Sequence, residues 1–235
     1  MLRRRRVSRV DALRGAAILA MIAYHFCFDL RYYGVLNADF EHGPFWLTAR
    51  SLILSSFLLL AGVSLVLAVR ANSSPAKFWR HVGVIALCAI AVSAGSYALF
   101  PKTFIWFGVL HAIAVSLVLA RPLVRRPALA FALGAAVVVA GVGFAHPGFN
   151  RLPLAWIGFV TVKPATVDYV PLFPWTGVLL LGIALGHTLY RNNWSAVIGG
   201  ERWPGWIAFL GRHSLAVYML HQPLLIGALW LALHA

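Results

Sequence analysis

The sequence predicts an all-α fold, a polytopic transmembrane helical bundle of about seven spans with its N-terminus in the cytoplasm. Three observations carry this. Hydrophobic residues make up 61% of the 235 residues and charged residues only 11%, against roughly 25% charged in ordinary soluble domains. Apolar runs recur at lengths near the ~20 residues that cross a ~30 Å hydrocarbon core. The cations fall in clusters between those runs, mostly at alternate gaps.

The first span, 11–30, follows Arg3 to Arg6. No small-residue cleavage site follows its apolar stretch, which ends in Tyr24, His25, Phe26 and Phe28, so it reads as a retained span and not a removed leader. Further spans are expected over 51–69, 82–100, 103–120, 128–145, 172–190 and 206–233, in a single membrane domain over 1–235. Segment 152–162 is apolar but too short to cross, which places it at the outer interface or in a re-entrant turn. With the N-terminus inside, fifteen of the 20 Lys and Arg lie on the cytoplasmic side; the other side carries only Arg31, Arg50, Lys102, Arg151 and Lys163. That asymmetry fits the positive-inside rule and turns the C-terminus outward.

The net charge of +14 is therefore topological, and no nucleic-acid partner is expected, since such binding needs a basic face on a water-soluble fold. Membrane lipid is the expected partner at this point of the reading. Cys27 and Cys88 both lie inside apolar runs and read as packing residues. Asp29, Asp39, Glu41 and Asp168 fall on the outer side while Asp11 and Glu201 fall inside, so chemistry that needs carboxylates belongs outside. Trp46, Trp156, Trp175, Trp203 and Trp206 fall near interfaces, where indoles anchor helices.

An ionisable group within a span is a functional hypothesis by default. His25, His111, His187 and His221 qualify, although a neutral histidine also serves as a satisfied packing residue. His25 stands out because Asp29 lies four residues on, one helical turn further out on the same face. A carboxylate there can hold the imidazole while it takes a proton; the competing reading pairs Asp29 with Arg31. Arg14 precedes His25 by eleven residues, about 16 Å along a helix. With Arg9 it can grip a cytoplasmic anion, or it can simply pair with Asp11. Pro223, two residues after His221, suggests a kinked cavity wall or a packing kink. The outer connection His146–Pro174, with five prolines and Asp168, is long enough to cover a site. His111, Asp168, Trp175 and His221 are accordingly candidate cavity-lining residues. No metal site is expected.

The stretch RVDALRGAAILAMIAYHFCFDL at 9–30 resembles the start of bacterial membrane proteins similar to the catalytic domain of heparan-α-glucosaminide N-acetyltransferase. FLLLAGVSL at 57–65, FGVLHAIAVS at 107–116, DYVPLFPWTGVLLLGIALG at 168–186 and GRHSLAVYMLHQP at 211–223 are similar to later motifs of that family, in order. A broader group of membrane acyltransferases also opens with an Arg–Gly pair and a first-span histidine, which Arg14, Gly15 and His25 match. The resemblance implies an acetyl-CoA-dependent acetyltransferase of a bacterial-type inner membrane, passing acetyl from cytoplasmic acetyl-CoA to an outward-facing sugar or glycan. It implies that His25 deprotonates the acceptor or carries the acetyl group, that Asp29 orients His25, and that Arg14 and Arg9 hold the donor's phosphates. It also points to a histidine of the first outer loop, where His42 stands in HGPFW. The resemblance implies a small-molecule or glycan acceptor as a partner; the chain is shorter than the family's larger members, so its acceptor site is expected to be either incomplete or completed by a partner subunit or a second copy. Two other readings compete: a multi-span transporter with a histidine-lined path, expected to have two repeated halves, and a b-type haem carrier with histidine ligands.

Overall fold

The computed structural model describes residues 8–192 and 203–234. Arg3 to Arg6 and Glu201 lie outside the described residues. Of the described residues 76% are helical, and they contain no strand. The helices are α1 (Ser8–Tyr32), α2 (Pro44–Arg70), α3 (Pro75–Leu99), α4 (Val109–Ala120), α5 (Pro127–Gly143), α6 (Leu152–Ala155), α7 (Leu172–Arg191), α8 (Gly205–Arg212) and α9 (Ser214–His234). Among the described residues, α1, α2, α3, α7 and α9 are long and apolar enough to cross a membrane. Large apolar side chains point outward along them and along α5: Leu87 is 67% exposed and Val142 78%. Water would not tolerate that outer surface but lipid does, and the chain is an integral membrane protein.

The second and third spans begin seven residues earlier than expected, at Pro44 and Pro75, and two further spans differ from the helices formed. The fourth begins at Val109 and not at residue 103, because the segment after α3 is tied back to α3 by two serines. Ser96 Oγ accepts from the Ile105 N–H at 2.9 Å, and Ser93 Oγ donates to the Ile105 carbonyl at 2.6 Å. The twelve-residue α4 then rises only about 18 Å, extended by a 3-10 turn over Arg121–Leu123. The seventh expected span, 206–233, is divided at His213 into α8 and α9.

The described residues form two compact units, one joining 8–57 with 203–234 and the other covering 58–192. In the first, α1 lies against α8 at a backbone-to-backbone approach. A Cβ on Gly15 would meet the Ile207 carbonyl, and one on Gly211 would meet the Asp11 carbonyl. Small residues permit this closeness, which dispersion rewards where lipid offers no hydrophobic drive. In the second, α5 and α7 meet at Gly134 and Gly177, and the Ser116 and Thr176 hydroxyls satisfy each other at 2.8 Å inside the packed core.

Candidate functional site

The first unit gathers polar groups from two helices. His25 and Asp29 come from α1, one turn apart; His221 and Gln222 come from α9, where Pro223 sits within the helix without ending it. Asp29 is 3% exposed and His221 7%.

The hydrogen bonds among them assign the His25 tautomer by two routes. His221 Nδ1 lies 2.6 Å from the Tyr218 carbonyl, which can only accept, so that nitrogen carries the proton. Neutral His221 then presents a lone pair at Nε2, 3.0 Å from His25 Nδ1, and His25 Nδ1 must donate. Independently, the Gln222 amide donates through Nε2 to Asp29 Oδ1 at 2.7 Å, which turns Oε1 toward His25 Nδ1 at 3.0 Å. Both routes put the His25 proton on Nδ1 and leave Nε2 as the basic nitrogen. Among the described residues Nε2 has no hydrogen-bond partner, and His25 is half-buried.

Asp29 therefore reaches His25 through Gln222. Its second oxygen, Oδ2, is buried and has no hydrogen-bond partner among the described residues, and no ion pair joins it to Arg31 there. Gln222 is the residue that sequence reasoning passed over; its only signal is a neutral amide placed between a histidine and a proline in an apolar run.

The remaining candidates lie elsewhere. Arg14 Nη1 is 3.3 Å from Asp11 Oδ1 and 3.5 Å from the Gly211 carbonyl, and Arg9 is half-buried on the same helix. His42 is exposed in the loop before α2. Its backbone N–H donates to Asp39 Oδ1 at 2.9 Å, and its Nδ1 lies 3.5 Å from Asp39 Oδ2. That amide, and more weakly the Glu41 amide and His42 itself, hold the Asp39 carboxyl below its usual range.

In the second unit, Asp168 Oδ2 accepts from the Val109 N–H at 3.0 Å and so caps the start of α4. His111 Nδ1 accepts from the Gly108 N–H at 3.2 Å, with Nε2 3.3 Å from Ser93 Oγ. Both groups thus hold the turn between α3 and α4. Trp175 lies half-buried in the first turn of α7. Tyr169 donates to the Ala155 carbonyl at 2.6 Å, and burial pushes its hydroxyl up to about 12.

Compared with known proteins, residues 6–223 match the family model described as heparan-alpha-glucosaminide N-acetyltransferase, catalytic. No curated protein and no solved structure matches the chain.

Proposed function

The chain belongs to the heparan-alpha-glucosaminide N-acetyltransferase catalytic family, which implies membrane acetyltransferase activity, and from that premise we propose that it moves an acetyl group from cytoplasmic acetyl-CoA to an outward-facing sugar or glycan acceptor. We take 1–235 as one membrane domain for this purpose.

The observation that carries the reading is the His25 tautomer. With Nδ1 donating to His221 and Gln222, Nε2 is the nitrogen able to take a proton. In the proposed step the acceptor's amine or hydroxyl attacks the thioester carbonyl as Nε2 takes its proton. The carbon–sulfur bond breaks, CoA leaves as the thiolate, and the protonated His25 returns the proton to that sulfur. As His25 charges, Gln222 Oε1 and His221 Nε2 stabilise the imidazolium, and Asp29 holds Gln222 in the orientation that makes this possible. Arg14 and Arg9 are assigned to the donor's phosphates, where charge-assisted hydrogen bonds act. His25 is preferred to His42 because His42 is exposed and engaged with Asp39.

The test uses purified protein in lipid nanodiscs with radiolabelled acetyl-CoA and glucosamine-terminated acceptors. CoA release that disappears in His25→Ala and persists in His42→Ala supports the assignment. Loss in His42→Ala alone moves the chemistry to the loop. An absence of donor turnover and donor binding in folded wild type refutes the reading.

A further inference from the structure

The second unit carries a cleft of about 350 Å³, lined by Val66, Val69, Arg70, Asn72, Val124, Arg125 and His187. It opens where α2 ends, beside the short connection between α4 and α5 and the last turns of α7. The charge count assigns this end to the cytoplasm.

Arginines at that end follow from topology alone. What topology does not require is their arrangement. His187 Nε2 donates to the Val124 carbonyl at 2.8 Å, so the ring presents the Nδ1 lone pair to Arg70 Nη2 at 3.4 Å. The Arg70 guanidinium also lies over the Tyr190 ring, 4.6 Å from its centroid. Arg70 is thereby held at the cleft with no carboxylate partner among the described residues. Arg125 has no hydrogen bond, ion pair or ring contact among the described residues. Between Leu58 and Gly199 the sequence holds a single acidic residue, Asp168, and it caps the opposite end of α4. Two guanidiniums thus share a concave site for which their own unit supplies no counter-anion. Their planar forks suit the paired oxygens of a phosphate, which a point charge would not discriminate.

We propose that the Arg70–Arg125–His187 cleft binds a phosphate-bearing ligand. The phosphate comes either from a soluble compound or from an anionic lipid headgroup. The proposal does not rest on acetyl transfer, since it concerns other residues and is read by binding alone.

The test titrates full-length protein in phosphatidylcholine nanodiscs with inorganic pyrophosphate by calorimetry, and repeats preparation in discs that also contain phosphatidylglycerol. Arg125→Gln is the main variant, because no hydrogen bond, ion pair or ring contact of Arg125 among the described residues is lost; Arg70→Gln is the second, and Lys102→Gln is the charge-matched control at the other end. Pyrophosphate binding that weakens about tenfold or more in Arg125→Gln, and not in the control, supports a soluble ligand. Phosphatidylglycerol enriched around wild type and not around Arg125→Gln, without pyrophosphate binding, supports a headgroup. Neither probe binding wild type, or every probe that binds wild type binding the two arginine variants alike, overturns the proposal. His25→Ala is expected to leave this binding unchanged whatever becomes of turnover.

Discussion

Replacing Gln222 by Leu tests the polar network most directly, because the amide joins the two helices of the site. It removes the donor to Asp29 Oδ1 and one of the two acceptors facing His25 Nδ1. Asp29 is 3% exposed and Oδ2 already lacks a partner among the described residues, so the variant leaves a buried carboxyl with neither oxygen bonded. An orphaned buried polar group costs about 1–3 kcal/mol, and each kcal/mol shifts the melting midpoint by roughly 2–4 °C in a chain of this size. The midpoint in nanodiscs is therefore expected to fall by roughly 2–12 °C. Replacing both partners by apolar residues removes the orphan, so Asp29→Leu/Gln222→Leu is expected to recover most of that loss. Turnover follows a different pattern. Gln222→Leu keeps the His221 acceptor and slows transfer, whereas the double variant recovers stability and stays slow. Thermal melts and CoA release on the four members of the cycle check this. A double variant whose destabilisation equals the sum of the two singles would refute the coupling, as would an unchanged midpoint in Gln222→Leu.

Further outcomes follow from the same geometry. His25→Ala is expected to lower acetyl transfer by about 10²–10⁴-fold, the usual contribution of general-base catalysis, and to lower the melting midpoint as well, since His221 Nε2 and Gln222 Oε1 both lose their donor. Gly15→Leu places a Cβ against the Ile207 carbonyl and is expected to destabilise the packing of α1 on α8 by about 1–3 kcal/mol or more, read from the melt. Thr176→Val removes the partner of the buried Ser116 hydroxyl and is expected to cost about 1–3 kcal/mol, while Ser116→Ala/Thr176→Val costs less than the sum of the singles. Tyr169 carries a folded-state value raised from 10.0 to about 12. Its contribution to stability is fully present below pH 10 and is lost as pH rises through about 12; tyrosinate absorbance that titrates there, and is absent from Tyr169→Phe, is the expected signature.

Much of the fold was legible in residue order because bilayer insertion is read from local composition. Long apolar runs and the asymmetric cations need no knowledge of which helix touches which, and the five long apolar helices α1, α2, α3, α7 and α9 fall on expected spans. Boundaries were less legible where distant side chains set them. Ser93 and Ser96 start α4 late by holding Ile105, and Asp168 caps α4 from 59 residues away. The His25–Asp29 spacing was visible as a helix repeat, but spacing alone left Arg31 as a competing partner for Asp29.

By itself, then, the sequence determined the solvent of this protein, its helical class and the polar residues that have no place in lipid, since each follows from transfer free energies and helix periodicity along one chain. Tertiary structure decided what those residues do to one another. Gln222 and His221 come within hydrogen-bond reach of His25 across 197 and 196 residues of sequence. A hydrogen bond a few ångströms long depends on how α1 and α9 are placed, and no local pattern encodes that distance.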